Sequence, residues 1–227
     1  MSLYYQDEHV TLYHGDCLTE HREWLDADVL VTDPPYGMGY VARGTYDTRT
    51  GRTHKPKGAD RVANDKHTGV RDAALAAWGD RPAAVFGTWR QERPEGTLHR
   101  LIWWKRGQAP GPARAAFMLQ DEEIYILGRG WVESSPPLRT VIPTSEQRSR
   151  QVSDVGHPTP KPVPLMETLI ARCPPGVVVD PFAGSGATLL AARNLGRQSI
   201  GVELEEKYCE IIARRLDQGV LDLGGIA

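Results

Sequence analysis

The sequence predicts an α/β fold built around a mostly parallel sheet. Short apolar runs typical of buried strands alternate along the chain with stretches in which apolar residues recur at helical spacing. Two of these runs, Val29–Thr32 and Val177–Val179, pass directly into loops rich in proline or glycine. Because strands joined through helices lie parallel to one another, this alternation favours helices packed on a parallel sheet.

The predicted elements cover most of the 227 residues. The predicted strands, all short apolar runs, are Thr11–His14, Val29–Thr32, Ala83–Phe86, Leu101–Trp104, Ile124–Leu127, Val177–Val179 and Ser199–Val202. The predicted helices are Val70–Trp78, Val163–Arg172, Ala187–Leu195 and Glu205–Leu216. Segments 37–68 and 128–156 show neither pattern. We therefore expect a single domain over residues 1–227, with 37–68 as a structureless, mobile loop near the active site, because loops of about 30 residues are usually functional or disordered.

The composition is ordinary for a globular protein, with 40% hydrophobic and 25% charged residues. No apolar run approaches the ~20 residues needed to span a membrane, and the first residues do not resemble a signal peptide. The cysteines, Cys17, Cys173 and Cys209, are odd in number and far apart. They predict neither a disulfide framework nor a metal cluster and fit a reducing compartment, so we expect no metal, no membrane association and a cytoplasmic location.

Positive charge is concentrated in two regions, although the formal net charge is −2. Six Lys and Arg residues accompany two acidic ones between Arg43 and Arg61, and the same numbers occur between Arg90 and Arg114. A surface with segregated charge can bind phosphates locally. Both regions are therefore candidate nucleic-acid contacts; solvated loops are the alternative interpretation.

A loop with two glycines follows the predicted strand Val177–Val179. Its sequence is Asp180-Pro181-Phe182-Ala183-Gly184-Ser185-Gly186. The glycines let a ligand approach the backbone, and the helix that starts behind them favours an anionic group. About 20 residues further on, the next predicted strand ends at Glu203, where an acid can accept hydrogen bonds from both hydroxyls of a ribose. The pattern predicts a site for an adenosine-like cofactor; a structural turn is the alternative.

The predicted strand Val29–Thr32 ends in a stiff turn. Its sequence is Asp33-Pro34-Pro35-Tyr36. The prolines fix φ and lack an N–H, so the turn presents carbonyl oxygens, and Asp33 adds a carboxylate acceptor. Two fixed acceptors suit an amino group with two hydrogens, and Tyr36 offers a flat face to a planar ring. An aromatic amine is a poor nucleophile, so holding its lone pair towards an electrophile is catalysis by positioning and electrostatic stabilisation. These four residues are the candidate catalytic residues; a proline turn at the end of an edge strand is the alternative.

Together the two loops resemble the amino-methylating DNA methyltransferases. The order of the motifs, with Asp-Pro-Pro-Tyr before Asp-Pro-Phe-Ala-Gly-Ser-Gly, is similar to the circularly permuted β group of that family. Further stretches that resemble family motifs are His14-Gly15-Asp16-Cys17-Leu18, Leu101-Ile102-Trp103-Trp104-Lys105 and His157-Pro158-Thr159-Pro160-Lys161-Pro162. The resemblance implies the Rossmann-like S-adenosylmethionine-dependent methyltransferase fold, with a seven-stranded sheet that contains one antiparallel strand.

The resemblance also implies S-adenosyl-L-methionine as the cofactor. In the family pattern, Asp16 contacts the adenine, Glu203 binds the ribose, and Lys161 lies near the methionine portion. Asp180 and Phe182 match positions that face the same portion. The full set of predicted cofactor-binding residues is Asp16, Cys17, Asp33, Lys161, Asp180, Phe182, Ala183, Gly184, Ser185, Gly186 and Glu203.

Double-stranded DNA is the substrate that the resemblance implies, with the target base leaving the duplex. Aspartate at the first position of the catalytic motif accompanies adenine more often in this family, whereas serine accompanies cytosine. Asp33 therefore favours methylation of adenine at N6, with N4 of cytosine as the alternative. The predicted DNA contacts are Arg43, Arg49, Arg52, Lys55, Lys105, Arg106, Arg148 and Arg150.

Segment 128–156 is short for a target-recognition region of this family. Its length predicts a short recognition sequence, help from the region between Arg43 and Arg61, or a second subunit in a homodimer. A partner restriction endonuclease is a further expectation, because the family serves restriction–modification.

Three rival functions stay open on the sequence alone. RNA and protein methyltransferases with a similar turn usually have asparagine before it and the cofactor loop first in the chain. A non-catalytic DNA-binding relative would not need an intact Asp33, Tyr36 and Glu203. A nucleotide-binding oxidoreductase would need space for a pyrophosphate at the glycine loop, and that loop has the wrong sequence.

Overall fold

The computed structural model describes residues 2–39, 45–47, 52–54, 63–106, 117, 119–144, 155–157 and 159–223. The strands within these ranges are β1 Leu3–Gln6, β2 Val10–His14, β3 Val29–Thr32, β4 Thr45–Asp47, β5 Arg52–His54, β6 Ala83–Gly87, β7 His99–Lys105, β8 Asp121–Leu127, β9 Val141–Thr144, β10 Val178–Asp180 and β11 Ser199–Glu203. The α-helices are α1 Gly69–Trp78, α2 Val163–Ile170, α3 Ala187–Asn194 and α4 Glu206–Leu223, and a short 3-10 helix covers Glu23–Asp26. None of these described helices is both long enough and apolar enough to cross a membrane.

Nine of the described strands form one sheet in the order β1-β2-β11-β10-β3-β6-β8-β7-β9. The neighbours β2, β11, β10, β3 and β6 pair in parallel. β8 is antiparallel to both β6 and β7, β1 is antiparallel to β2, and β9 is parallel to β7. β4 and β5 form a separate antiparallel hairpin.

The predicted fold class is confirmed, since the sheet is mostly parallel and contains all seven predicted strands. β8 is the antiparallel strand among those seven. Two edge strands, β1 and β9, extend the sheet beyond the prediction. β9 escapes sequence analysis because it contains Pro143, which cannot donate to a ladder and is tolerated only because the strand lies at the edge. Segment 37–68, expected to lack secondary structure, contains the hairpin of β4 and β5.

Helices cover both faces of the sheet, because each central strand alternates its side chains between two cores. On β3, Val29 and Val31 belong to the core that includes Leu165 of α2. Leu30 points to the opposite face and packs in the core that includes Trp78 of α1. Burial on both faces explains why β3 is an uninterrupted apolar run.

The five parallel strands place their carboxyl ends at one edge of the sheet. β10 and β11 come late in the chain but lie between β2 and β3, so loops from both halves of the sequence meet there. Because neighbouring strands lie about 4.8 Å apart, the ends of β11 and β3 are roughly 10 Å from each other. Open α/β sheets bind ligands at this edge.

Candidate active site

A cavity of about 460 Å³ opens at the carboxyl edge of the sheet. Its walls come from the loops that follow β2, β3, β10 and β11 and from the ends of β7 and β8. The volume lies within the range of pockets that bind small-molecule ligands. Both predicted motif loops therefore border one cavity.

One part of the wall is a group of interacting polar side chains, the Asp33 cluster, which consists of Asp33, Tyr36, Lys105, Glu122 and Lys161. The Tyr36 hydroxyl donates to Asp33 Oδ1 at 2.5 Å and to Glu122 Oε2 at 3.3 Å. Lys161 Nζ donates to Asp33 Oδ2 and lies 3.3 Å from Glu122 Oε2. Lys105 Nζ donates to Glu122 Oε1. The fold thus joins residues from distant parts of the sequence in one hydrogen-bond network.

The charges of the Asp33 cluster balance, with two carboxylates and two ammonium groups. Burial raises the pKa of Asp33 above its ordinary value, the Lys161 ammonium offsets only part of this effect, and the Glu122 carboxylate adds to it. Burial by itself raises the pKa of Glu122, but the Lys161 and Lys105 ammonium groups outweigh this effect and hold that pKa at about 2. Burial lowers the pKa of Lys161, whereas the Asp33 and Glu122 carboxylates bring it above its ordinary value. Glu122 is therefore an anion and Lys161 a cation near neutral pH.

Tyr36 remains a neutral hydrogen-bond donor in this environment. Burial raises the pKa of its hydroxyl well above the ordinary value, and the carboxylates of Asp33 and Glu122 raise it further. Its ring packs against the core that contains Phe86. The hydroxyl can therefore bridge the two carboxylates over the whole physiological pH range.

The second part of the wall, the glycine-loop end, consists of residues 180–186 and Glu203. Glu203 Oε2 accepts a hydrogen bond from Gly184 N at 2.7 Å, and Oε1 accepts one from Glu205 N at 2.8 Å. Burial raises the pKa of Glu203 to about 7, although the two backbone N–H groups oppose this effect. A carboxylate at the end of β11 can accept hydrogen bonds from vicinal hydroxyls of a ligand.

Asp180 connects the two motif loops from beneath the cavity. Its Oδ1 accepts hydrogen bonds from Thr32 Oγ1 at 2.6 Å and from Phe182 N at 3.1 Å, and its Oδ2 accepts one from Thr188 Oγ1 at 2.7 Å. The side chain is buried, and burial raises its pKa to about 6. Because Thr32 directly precedes Asp33, Asp180 fixes the start of both loops relative to each other.

The glycines of the loop permit a close approach of neighbouring elements. Gly184 and Gly186 have φ of +52° and +77°, a region that favours glycine. A Cβ atom at Gly186 would lie 2.9 Å from Ile212 Cγ1 of α4, and one at Gly184 would lie 3.2 Å from His157 Nε2. Side chains at these positions would push α4 and His157 away from the loop.

His157 lines the cavity as a neutral imidazole. Its Nδ1 accepts a hydrogen bond from Thr159 N at 3.3 Å, and its ring meets the Tyr208 ring edge-on at 4.5 Å. Burial lowers the pKa of His157 to about 3, and the nearby charges of Lys161, Arg215 and Lys207 contribute. The side chain therefore adds no positive charge to the cavity near neutral pH.

Hydrogen bonds also hold the backbone that follows Tyr36. Asp65 Oδ1 accepts from Gly37 N at 2.7 Å and from Met38 N at 3.1 Å, and Gln91 Nε2 donates to Gly37 O at 3.1 Å. Both side chains come from other parts of the chain, and the sequence analysis did not select either. They fix the backbone on the far side of the turn formed by residues 33–36.

The predicted catalytic residues Asp33, Pro34, Pro35 and Tyr36 all line the cavity. The predicted cofactor residues that line it are Asp16, Cys17, Asp33, Lys161, Phe182 and Glu203. The others lie behind the wall and shape it: Asp180, Ala183, Gly184, Ser185 and Gly186.

The predicted DNA contacts are divided between described and other residues. Lys105 is buried and paired with Glu122, a position that favours a role inside the cavity over a phosphate contact. Arg106 is exposed, with its guanidinium 5.3 Å from the Trp104 ring centre. For Arg52, at the start of β5, only the backbone is described, and Arg43, Arg49, Lys55, Arg148 and Arg150 lie outside the described residues.

The sequence analysis did not select Glu122, which is one of three consecutive acidic residues, 121–123. The sequence nevertheless contains an indication that Glu122 is paired. Glu122 and Lys105 both adjoin predicted apolar strands, and unlike charges at such positions indicate a pair once the two strands are neighbours.

The fold and the cavity are those of α/β proteins that bind a ligand at the carboxyl edge of the sheet. Within that class, a sequence profile described as DNA methylase, of the N6/N4 type, matches residues 27–214. The chain belongs to this family of amino-methylating DNA methyltransferases.

Curated relatives agree with this assignment. The chain is 42% identical over 257 residues to the type II methyltransferase M.ScaI of Streptomyces caespitosus, an alignment that covers 94% of this chain and 83% of the relative. It is 31% identical over 216 residues to the putative methylase YubD of Escherichia coli (strain K12), covering 89% of this chain and 88% of the relative.

Solved structures confirm the fold. M1.HpyAVI in its SAM complex has a TM-score of 0.64 and 22% identity, with 91% of this chain and 99% of that chain covered. The cytosine-N4-specific PvuII DNA methyltransferase has a TM-score of 0.65 and 16% identity, with 93% and 87% covered.

Proposed function

We propose that this DNA methyltransferase transfers a methyl group from S-adenosyl-L-methionine to the N6 amine of adenine in double-stranded DNA. The proposal is supported above all by the Asp33 cluster, which lines the same cavity as Glu203, a carboxylate that can accept hydrogen bonds from ribose hydroxyls. Family membership supports the amino-methylating reaction. Aspartate at the first position of the catalytic motif supports adenine over cytosine.

The cavity residues fit the proposed cofactor. Glu203 offers a carboxylate to the ribose hydroxyls, and Asp16 lies on the neighbouring loop, where an acceptor for the adenine amine is expected. The neutral His157 and the balanced Asp33 cluster leave the cavity open to a cationic ligand. When bound, S-adenosyl-L-methionine supplies an electrophilic methyl group on a positively charged sulfur.

Asp33 positions the nucleophile in this proposal. Each of its oxygens accepts one hydrogen bond within the protein, from Tyr36 or from Lys161, and a carboxylate has about four lone-pair directions. An acceptor direction is therefore left for the target amine, with the Pro34 carbonyl as the second acceptor. On accepting the methyl group that the cofactor would supply, the target amine would carry a positive charge, which the nearby Asp33 carboxylate would stabilise until the nitrogen releases a proton to solvent.

We also propose which parts of the chain contact DNA. Arg106 and the basic residues between Arg43 and Arg61 would bind phosphate, and segment 128–156 would contribute to target recognition. A homodimer and a partner restriction endonuclease would extend this arrangement.

The test is incubation of the protein with tritiated S-adenosyl-L-methionine and unmethylated duplex DNA of mixed sequence, followed by mass spectrometry of the digested nucleosides. The expected product is N6-methyladenine, and Asp33→Ala should form it about 10³-fold more slowly. N4-methylcytosine would overturn the choice of base and keep the reaction. Unlabelled DNA, with the cofactor bound in calorimetry, would overturn DNA as the substrate.

A further inference from the structure

Glu122 of β8 has no task in the proposed transfer, yet it is central to the Asp33 cluster. Its Oε2 faces both Tyr36 and Lys161 at 3.3 Å, and its Oε1 accepts from Lys105. Two of these partners, Tyr36 and Lys161, also donate to Asp33. The two carboxylates are therefore linked through two shared donors.

The charge of Glu122 decides the electrostatic balance of the Asp33 cluster. Lys105 and Lys161 have side chains that are 8% and 6% exposed, so neither ammonium group is well hydrated. Without Glu122, Asp33 alone would face two buried cations. A buried charge that loses its partner is strongly unfavourable, and the excess positive charge would repel an amine that becomes cationic during transfer.

We infer that Glu122 is a positioning residue of the transfer step, which holds the Lys161 ammonium and the Tyr36 hydroxyl against Asp33 and cancels the second ammonium charge. Asp33 then keeps an acceptor direction for the target amine. This inference rests on the proposed function and adds to it a cavity-lining residue that acts through Asp33, Tyr36 and Lys161.

The next residue on the strand provides a matched control. Glu123 is buried, whereas the Glu122 side chain is 21% exposed. Like Glu122, it contacts a cationic side chain and a tyrosine, since Arg100 Nη1 lies 3.0 Å from its Oε1 and the Tyr125 hydroxyl 2.5 Å from its Oε2. Successive residues of a strand point to opposite faces, and Glu123 does not line the cavity. Glu122→Gln and Glu123→Gln therefore remove the same charge from the same strand on opposite faces.

The first readout does not depend on activity. The chain has six lysines, so protein labelled with 13C at the lysine Cε atoms gives a simple spectrum in which Lys161 is assigned by its loss in Lys161→Arg. We expect the titration midpoint of Lys161 in Glu122→Gln to fall by about one pH unit or more, because one of its two counter-ions is gone. In Glu123→Gln the midpoint should equal that of the wild type.

The second readout is methyl transfer. For Glu122→Gln we expect kcat to fall on the order of 10²-fold while the Kd for S-adenosyl-L-methionine changes less than about threefold. At alkaline pH, the residual rate of Glu122→Gln should begin to decline at a lower pH than the rates of the wild type and Glu123→Gln, because its Lys161 loses the proton earlier.

The outcomes separate the inference from the proposed function. Equal kcat and equal lysine titration in Glu122→Gln and Glu123→Gln would overturn the role of Glu122, even with an active wild type. A loss of kcat without any shift of the Lys161 midpoint would also overturn it. A wild-type protein that methylates no DNA would overturn the proposed function and the inferred role together.

Discussion

The glycine-loop end and the Asp33 cluster line the same cavity but are constructed differently. At the glycine-loop end, Glu203 is held by two backbone N–H groups, and the nearby acid Asp180 is held by two hydroxyls and a backbone N–H. In the Asp33 cluster, charged side chains from β7, β8 and two loops hold one another. One part of the site therefore depends on local backbone geometry, and the other depends on long-range charge pairing.

The difference has consequences for what each part can tolerate. A loop held by its backbone is sensitive to added volume, while a charge network is sensitive to the loss of any one charge. Substitutions at the glycine-loop end should therefore act on stability and cofactor affinity. Substitutions in the Asp33 cluster should act on kcat.

The largest effect is expected for Asp33→Ala. Loss of the carboxylate removes the main acceptor for the amine and leaves Lys161 without its nearest counter-ion, so kcat should fall about 10³-fold, or about 4 kcal/mol. Calorimetry should show little change in the Kd for S-adenosyl-L-methionine. An equally large loss of cofactor affinity would contradict the view that the Asp33 cluster acts on kcat and the glycine-loop end on cofactor binding.

Gly186→Ala should lower stability by about 3 kcal/mol, the combined effect of a positive φ and of overlap with Ile212. Thermal unfolding would measure this as a decrease in Tm. Gly196→Ala is the matched control, since Gly196 has a φ of +67° but no atom lies within 4 Å of its added Cβ. Its loss should be about 1 kcal/mol, and equal losses would mean that contact with α4 is unimportant.

The same contrast explains which parts of the site the sequence could predict. The glycine loop and the Asp-Pro-Pro-Tyr turn each consist of consecutive residues that follow a buried strand, so both can be recognised in the sequence. The spacing from the glycine loop to Glu203 can be read in the same way. Glu122, Asp65 and Gln91 were missed because their partners lie far away in the chain and are known only when the strand order is known.

Lys105 illustrates the limit of a charge pattern. Its place in a basic region predicts a phosphate contact, yet its burial beside Glu122 depends on the pairing of β7 with β8. Edge elements were hidden for a related reason. β9 has a single buried residue, Ile142, and therefore leaves no periodic apolar pattern.

Glu203→Ala should weaken cofactor binding by ~1–3 kcal/mol through the loss of charge-assisted hydrogen bonds to the ribose. The pH dependence gives a sharper test. Burial raises the pKa of Glu203 to about 7, so the carboxylate takes up a proton as the pH falls through 7 and its acceptor strength decreases. Calorimetry should show weaker binding at pH 6 than at pH 8 for the wild type. Glu203→Gln, which has no charge to lose, should bind with a low affinity that does not vary over this range; an equal pH dependence in both proteins would exclude Glu203 as its source.

The smallest effect on the reaction is expected for Tyr36→Phe, because the change keeps the ring in the cavity and removes a single bridging hydroxyl. Asp33 and Glu122 would then share only the Lys161 ammonium, and kcat should fall about tenfold, or about 1.4 kcal/mol, the contribution of one hydrogen bond to a charged group. Tyr125→Phe is the matched control, since the Tyr125 hydroxyl donates to Glu123 on the opposite face of β8. Both variants remove a tyrosine hydroxyl that contacts a glutamate of β8, and both should lose some stability in thermal unfolding. If only Tyr36→Phe lowers kcat, the hydroxyl acts through Asp33. A similar decrease in kcat in both variants would mean that the loss of either hydroxyl disturbs β8 in general. The effect of Tyr36→Phe would then not be specific to the Asp33 cluster.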